Sequence, residues 1–283
     1  MKDSDPKHLE RTDFLVSNEP PIELRGVSLS FGDKLVLSNI SLKVERGSTL
    51  ALLGVTGSGK SVLLKLVLGL LKPDGGEILI NGTNMAPLSD QELNPFRKNI
   101  GMVFQEGALF DSLSVYENTA YPLREEGVDD EDAIERRVRE VLSFVEMEEA
   151  IGKMPSELSG GMRRRVSIAR AIINQPSIML YDSATAGLDP VTAHTINILI
   201  AKLRDTQHVS SILVTQRLQD AIILNDAVYS PESHSLVPAA RNGKPGSPAG
   251  MLFIVLKDAG ICFQGSWREL SHAQDPYLRR FIS

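Results

Sequence analysis

The glycine-rich sequence GVTGSGKS occupies residues 54–61. It follows the apolar run STLALLG and precedes KSVLLKLVLGLL, whose apolar residues recur at helical spacing. Glycines in such a strand-to-helix turn permit torsions that aim successive N–H groups inward, and the helix N-terminus adds positive partial charge. The sequence therefore predicts a phosphate-binding loop. Its predicted members are Gly54, Val55, Thr56, Gly57, Ser58, Gly59, Lys60, Ser61 and Val62.

Three polar side chains complete this predicted site. The ammonium of Lys60 suits the β- and γ-phosphates of a nucleotide, and the Ser61 hydroxyl can ligate Mg²⁺. Asp182 ends the apolar run SIMLYD, residues 177–182, which reads as a second buried strand. We therefore expect Asp182 to hold the same Mg²⁺.

Composition is that of an ordinary globular protein. The chain has 283 residues, of which 42% are hydrophobic, and a net charge of −6, an acidic balance that disfavours a nucleic-acid partner. No apolar run is long enough to span a membrane, and the first twenty residues lack the apolar core of a secretory signal. The single cysteine, Cys262, excludes an internal disulfide, and its neighbours Ile261 and Phe263 predict that its thiol is buried.

Strand and helix patterns alternate after residue 48, which predicts an α/β fold with a mainly parallel sheet wrapped by helices. Residues 22–44 read as an antiparallel hairpin, and Ile134, Val138, Val141 and Val145 form one helical stripe. The predicted boundaries are a mobile arm over 1–21, one domain over 22–283 with a helical subdomain at about 106–175, a flexible Pro/Gly/Ser-rich insertion over 230–250, and a short C-terminal helix over 275–283.

A second glycine-rich turn, in LSGGMRRR (residues 158–165), identifies the family. Ser159, Gly160 and Gly161 open a helix and offer a hydroxyl and free N–H groups to an anion. In this order, after the phosphate loop and before Asp182, the turn resembles the signature of ABC-type ATPases over about residues 22–265. The resemblance implies a P-loop NTPase of ABC type, with an antiparallel β subdomain and a helical signature subdomain. It also implies ATP and Mg²⁺ as cofactors, and a dimer in which one subunit's signature closes over the other's ATP.

The resemblance assigns roles to further residues. Phe31 matches the aromatic that stacks on adenine, although a strand-end core residue is the alternative. Gln105 matches the glutamine that touches Mg²⁺ and the attacking water, and Asp189 the aspartate that communicates across the dimer. The three arginines at 163–165 could reach phosphate or partner carboxylates, but a mostly solvated face is the favoured interpretation.

Two positions depart from the family pattern. Ser183, followed by Ala184, stands where the family has its catalytic glutamate and a proline, and Gln216 stands where it has a switch histidine. A serine cannot act as a carboxylate base, and losing such assistance costs about 10²–10⁴ in rate. We therefore expect this chain to bind MgATP but to hydrolyse it poorly at its own site. The candidate catalytic positions are Gln105, Asp182, Ser183 and Gln216.

Because the signature is intact, the partner is open to two interpretations: a heterodimer in which a competent second ABC subunit hydrolyses ATP, or a slow homodimer. The segments at 104–125 and 215–221 resemble the ATPases of Mla/Mce-type bacterial lipid transporters. This implies hydrophobic cargo, transmembrane permease subunits, a periplasmic Mce-type lipid-binding subunit and a place at the cytoplasmic face of the inner membrane. The alternatives are the ATPase of another solute importer or exporter, and a non-hydrolysing regulatory subunit.

Four apolar residues after Gln105 have two possible roles. They form either an exposed patch on which the permease docks or an ordinary part of the core, and they are Ala108, Leu109, Phe110 and Leu113.

Overall fold

The computed structural model describes residues 19–239 and 251–282. Most of the predicted N-terminal arm, residues 240–250 of the predicted insertion, and Ser283 lie outside the described residues. In chain order the strands are β1 (Ile22–Phe31), β2 (Lys34–Val44), β3 (Thr49–Gly54), β4 (Gly75–Ile80), β5 (Thr83–Asn84), β6 (Ile100–Val103), β7 (Ile178–Asp182), β8 (Ser210–Val214), β9 (Ala227–Ser230), β10 (Ser235–Pro238), β11 (Leu252–Lys257) and β12 (Gly260–Gly265).

The α-helices are α1 (Lys60–Val67), α2 (Asp90–Lys98), α3 (Val115–Glu125), α4 (Glu131–Phe144), α5 (Gly160–Ile172), α6 (Pro190–Gln207), α7 (Leu218–Asp226), α8 (Trp267–Ser271) and α9 (Pro276–Ile282). Within residues 19–239 and 251–282, none of them combines the length and apolar character needed to cross a bilayer.

The central sheet has the order β12-β11-β3-β8-β7-β6 and is parallel except for β12. Every residue of β3 is buried, as expected of a strand covered on both faces. Register pairs Val214 at the end of β8 with both Leu52 and Asp182, so β3, β7 and β8 end at the same edge of the sheet. Ligands of open parallel sheets bind at such an edge.

A second sheet, of order β2-β1-β4-β5, is antiparallel throughout. Its core residues pack with α1 and one face of the central sheet in a single apolar cluster. The α/β class, the parallel core and the antiparallel hairpin over residues 22–44 are thereby confirmed.

Helices α3, α4 and α5 pack together against the other face of the sheet. The predicted apolar stripe of α4 is buried, and Val145 lies just beyond the last helical residue. Capping explains where these helices begin: Ser114, Asp130 and Ser159 each accept a backbone N–H from the first turn of α3, α4 and α5 respectively.

Two local predictions are wrong. Cys262 is exposed, because β12 is an edge strand whose alternation turns Cys262 outward between two partly buried neighbours. The first part of the predicted flexible insertion is also ordered, since β10 pairs antiparallel with β9 from Ser235↔Ser230 to Pro238↔Ala227. A second apolar cluster lies between the other face of the central sheet and helices α3, α4 and α5, and we call it the main apolar cluster. Leu236 of β10 packs against this cluster, which explains why the hairpin forms.

Candidate functional site

An open cleft of about 520 Å³ lies where β3 turns into α1, at the carboxyl edge of the sheet. The cleft brings the predicted phosphate loop together with residues from five other segments of the chain. Its lining comprises Phe31, Lys34, Leu35, Val36, Val55, Thr56, Gly57, Ser58, Gly59, Lys60, Ser61, Val62, Gln105, Ser183, Val214, Gln216, Asp258 and Ala259.

The backbone of the loop explains its glycines. Gly57 and Gly59 have φ values of 82° and 95°, a region that favours glycine. A Cβ at Gly59 would lie 2.8 Å from Leu37 Cδ2, whereas a Cβ at Gly57 would meet open space. The first N–H groups of α1 have no partner within the helix because of helix geometry. The loop therefore offers N–H donors around a space that a phosphate can fill.

Lys60 supplies the positive charge of the loop. The residue is 6% exposed. Its Nζ donates to the carbonyls of Gly54 and Val55 at 2.8 Å and to Ser58 Oγ at 3.3 Å. Burial lowers the pKa of Lys60, while the charge of Asp182 opposes this effect. A phosphate entering the loop would compete with these neutral acceptors for the ammonium, as a charged acceptor binds it more strongly.

The residues expected to hold Mg²⁺ carry the right atoms. Ser61 and Gln105 line the cleft and are exposed, offering a hydroxyl and an amide carbonyl. Asp182 ends β7 next to Val214 of β8, close enough for its carboxylate to act electrostatically on Lys60. Mg²⁺ prefers hard oxygen ligands of these kinds together with substrate phosphates. The three residues therefore fit a magnesium ion, although Asp182 is not itself among the lining residues.

Both departures from the family pattern lie in this same cleft. Ser183 is 4% exposed, and its N–H donates to the Val214 carbonyl at 2.9 Å. Its φ of 53° is left-handed, so the chain turns sharply immediately after the strand that ends in Asp182. Gln216 is exposed and lines the cleft from the segment that follows β8. The cleft therefore offers a hydroxyl and an amide where the resemblance implies a carboxylate and an imidazole.

A buried polar network behind Ser183 carries no signal in the sequence. Thr185 Oγ1 donates to Asp220 Oδ2 at 2.5 Å, and Asn197 Nδ2 donates to Asp220 Oδ1 at 2.8 Å. Arg217 extends the network by donating to the Leu188 carbonyl at 3.2 Å. These bonds tie the loop after Ser183 to the helix that follows Gln216. No local sequence pattern predicts these bonds, because the partners lie 23 to 35 positions apart.

The signature and Asp189 lie apart from the cleft. Ser159 Oγ accepts the N–H of Met162 at 3.2 Å, and Ser159 and Gly160 are exposed, while Gly161 is buried against Thr192. Asp189 caps α6, and its hydrogen bonds with Thr192, followed by that with Val191, lower its pKa. None of these residues is among those lining the cleft of the described chain.

Phe31 is 50% exposed at the mouth of the cleft. The alternative that Phe31 is a strand-end core residue is therefore wrong, and the Phe31 ring is accessible to a base.

The prediction that the three arginines at 163–165 form a mostly solvated face is also wrong. Arg164 is buried against the loop after β6, and Arg163 and Arg165 are partly buried. Arg164 is buried because a loop distant in sequence packs against it, and a local charge pattern does not predict such a contact.

Ala108, Leu109, Phe110 and Leu113 form an apolar patch that is half exposed. Ala108 and Phe110 are exposed, Leu113 is partly buried, and Leu109 is partly buried against the hydrophobic core. The patch borders a groove of about 370 Å³ between the central sheet and the helical subdomain. We refer to Ala108, Leu109, Phe110 and Leu113 as the apolar patch below.

Fold and cleft together define a nucleotide-binding domain of the P-loop class. The profile described as "ABC transporter" matches residues 37–186, and the chain belongs to that family. It is 38% identical over 212 residues to the intermembrane phospholipid transport system ATP-binding protein MlaF of Haemophilus influenzae, covering 75% of this chain and 80% of MlaF. MlaF of Escherichia coli K12 is 34% identical, over 92% of this chain and 88% of MlaF.

Two further similarities bear on function and assembly. The methionine import ATP-binding protein MetN of Latilactobacillus sakei is 42% identical, over 66% of this chain and 54% of MetN. The dimeric structure of a bacterial ABC transporter cassette superposes with a TM-score of 0.72 at 29% identity, over 87% of this chain and 98% of that chain. The chain is thus an ATP-binding subunit of the ABC type.

Proposed function

We propose that this chain is the ATP-binding subunit of a transporter for phospholipid or another hydrophobic cargo, and that its own site hydrolyses ATP slowly. The main observation behind the proposal is that the same cleft contains an intact phosphate loop, with Lys60 and Ser61, and the two departures Ser183 and Gln216. The similarity to MlaF over most of both chains supports the cargo class.

In the proposed complex, the loop binds the ATP phosphates and Phe31 stacks on adenine. Ser61, Gln105 and Asp182 hold Mg²⁺, which neutralises charge on the β- and γ-phosphates when bound. Lys60 exchanges its backbone acceptors for phosphate oxygens. These groups do not depend on Ser183, so binding is expected to persist where hydrolysis is weak.

Hydrolysis at this cleft is limited by what the side chains can do. The Ser183 hydroxyl cannot accept a proton as a carboxylate does, and the Gln216 amide donates a hydrogen bond but cannot become cationic. Losing one general base costs about 10²–10⁴ in rate, or roughly 3–5 kcal/mol of barrier.

We propose further that a second ABC subunit supplies the competent site. The exposed Ser159 and Gly160 would complete that partner's site, in keeping with their position apart from this chain's cleft. Permease subunits would hold both at the cytoplasmic face of the inner membrane, through a surface that includes the apolar patch. A periplasmic Mce-type subunit would receive or deliver the lipid.

A second candidate is the ATPase of a solute importer. The identity to MetN is higher than the identity to MlaF, although the matched part of the chain is shorter. Affinity purification of the tagged chain from native membranes, followed by identification of subunits and lipids, distinguishes the two. Recovery of a periplasmic lipid-binding subunit with phospholipid supports the first proposal, and recovery of a solute-binding protein without lipid contradicts it.

Ser159→Arg tests the heterodimer in the assembled transporter. A bulky cation at this turn blocks the N–H groups that meet the partner's γ-phosphate, so ATPase activity should be lost. Ser183→Ala is the matched variant in the chain's own cleft and should change activity little. Full activity with Ser159→Arg would contradict both the heterodimer and the role of the signature.

A further inference from the structure

The short C-terminal helix α9 packs against the main apolar cluster, and its first turn carries Tyr277. Asp275 caps this turn, because its carboxylate accepts the N–H groups of Tyr277 and Leu278 at 2.7 and 3.2 Å. Leu278 is buried in the cluster, and Phe281 packs against the cluster one turn later. The position of Tyr277, which is partly buried, is therefore fixed by the core.

The Tyr277 hydroxyl reaches the end of β11, where it donates to the Leu256 carbonyl at 2.8 Å. The ladder between β11 and β12 changes register after Val255, and Cys262 is the extra residue of this bulge. A bulge disrupts the ladder locally. The hydroxyl of a side chain on α9 thus bonds the sheet at the point where pairing of the edge strand is irregular.

The Leu256 carbonyl lies against the first residue of the phosphate loop. Leu256 pairs with Gly54 across the parallel strands β11 and β3. A Cβ at Gly54 would lie 2.9 Å from the Leu256 oxygen, so the absence of a side chain allows this close approach. Burial raises the pKa of Tyr277, and the N–H of Val55 opposes this effect. The Tyr277 hydroxyl is therefore close to the first two residues of the loop.

A second restraint on Gly54 and Val55 comes from Lys60, whose Nζ donates to both carbonyls at 2.8 Å. In the proposed complex, Lys60 exchanges these acceptors for phosphate oxygens. The Tyr277 hydroxyl bonds β11 instead, so it does not compete with a phosphate. Its restraint on the start of the loop remains when the restraint from Lys60 is lost.

We propose that Tyr277 is a positioning residue for the nucleotide, whose hydroxyl holds Gly54 and Val55 in place when Lys60 leaves them for the phosphates. A loop that is held in its binding conformation loses less freedom when the ligand enters, so the contact raises the affinity for nucleotide. By reciprocity, bound nucleotide stabilises the contact with α9. The effect on affinity rests on the proposed binding of MgATP at this cleft, whereas the contact itself does not.

Tyr277→Phe tests the hydroxyl and keeps the ring, which lies 5.4 Å from the ring of Phe281. Titration of the purified full chain with a fluorescent ATP analogue and Mg²⁺ should give a Kd about two- to tenfold above the wild-type value, the range that one hydrogen bond supplies. Tyr229→Phe is the matched control. It removes a hydroxyl that is hydrogen-bonded to His234 Nδ1 at 3.1 Å, from a strand that does not line the cleft, and should leave the Kd unchanged.

Hydrogen exchange followed by mass spectrometry separates positioning from general destabilisation. With the analogue bound, Tyr277→Phe should speed exchange at residues 54–56, while exchange in α6 keeps its wild-type rate. Without nucleotide the increase at residues 54–56 should be smaller, because Lys60 then still bonds both carbonyls.

A wild-type Kd together with wild-type exchange at residues 54–56 in Tyr277→Phe would overturn the proposal. So would a higher Kd accompanied by faster exchange throughout the chain, because that result indicates a purely structural role. If the wild type does not bind the analogue, the proposed function fails, while exchange at residues 54–56 in the ligand-free chains still decides whether the hydroxyl holds the loop.

Discussion

Asp220→Ala removes the centre of the buried network behind Ser183. Asp220 is 2% exposed and accepts hydrogen bonds from Thr185 at 2.5 Å and from Asn197 at 2.8 Å. Alanine leaves both donors buried without an acceptor. Arg217 contributes less, because its Nε lies 3.8 Å from Asp220 and its side chain is 35% exposed.

The two lost bonds set the size of the effect. A hydrogen bond to a charged acceptor is worth about 1.5–3 kcal/mol, so we expect the two lost bonds to cost about 3–6 kcal/mol. In a domain of this size, 1 kcal/mol lowers Tm by about 2–4 °C, so Tm should fall by about 6–24 °C. Asp220→Asn keeps an acceptor for Asn197 and should cost only about 1 kcal/mol.

Differential scanning calorimetry of the purified variants measures the effect. Asp226→Ala, at the exposed end of the same helix, is the control and should leave Tm nearly unchanged. A wild-type Tm for Asp220→Ala would show that this network does not hold the loop after Ser183 in place.

Two further predictions concern nucleotide binding, each measured by titration with a fluorescent ATP analogue. Lys60→Ala should abolish nucleotide retention. Lys65→Ala is the control, at an exposed position on the same helix, and should not abolish it. Equal nucleotide affinities of the two variants would mean that the loop does not bind phosphate. Gly59→Ala should weaken binding far more than Gly57→Ala, because both have positive φ but only the Cβ at 59 meets Leu37 and Val36, at 2.8 and 3.0 Å.

The phosphate loop could be predicted from sequence because its determinants are local. Glycines, a lysine and a serine at fixed spacing dictate the turn, and the flanking apolar runs dictate strand and helix. The buried stripe of α4 follows from helical periodicity for the same reason. The remaining motifs were assigned from their order along the chain by resemblance to the family, because periodicity alone does not identify them.

The features that the sequence did not predict depend on long-range packing. Arg164 is buried because the loop at 104–107 folds over it, some 60 positions away. Cys262 is exposed because β12 lies at a sheet edge, which its own apolar neighbours do not reveal. The hairpin of β9 and β10 forms because Tyr229 and Leu236 find an apolar surface on the main cluster, despite the polar composition around them.

We propose that the cleft binds MgATP and that Ser183 and Gln216 limit hydrolysis there. Ser183 already adopts a φ of 53°, so a glutamate there adds no new backbone strain. The most direct test is steady-state phosphate release by the purified chain at saturating MgATP, for the wild type and for Ser183→Glu combined with Gln216→His. We predict slow release by the wild type and an increase of about a hundredfold in the double variant. Brisk release by the wild type, unchanged by the double substitution, would contradict the proposal that Ser183 and Gln216 limit hydrolysis.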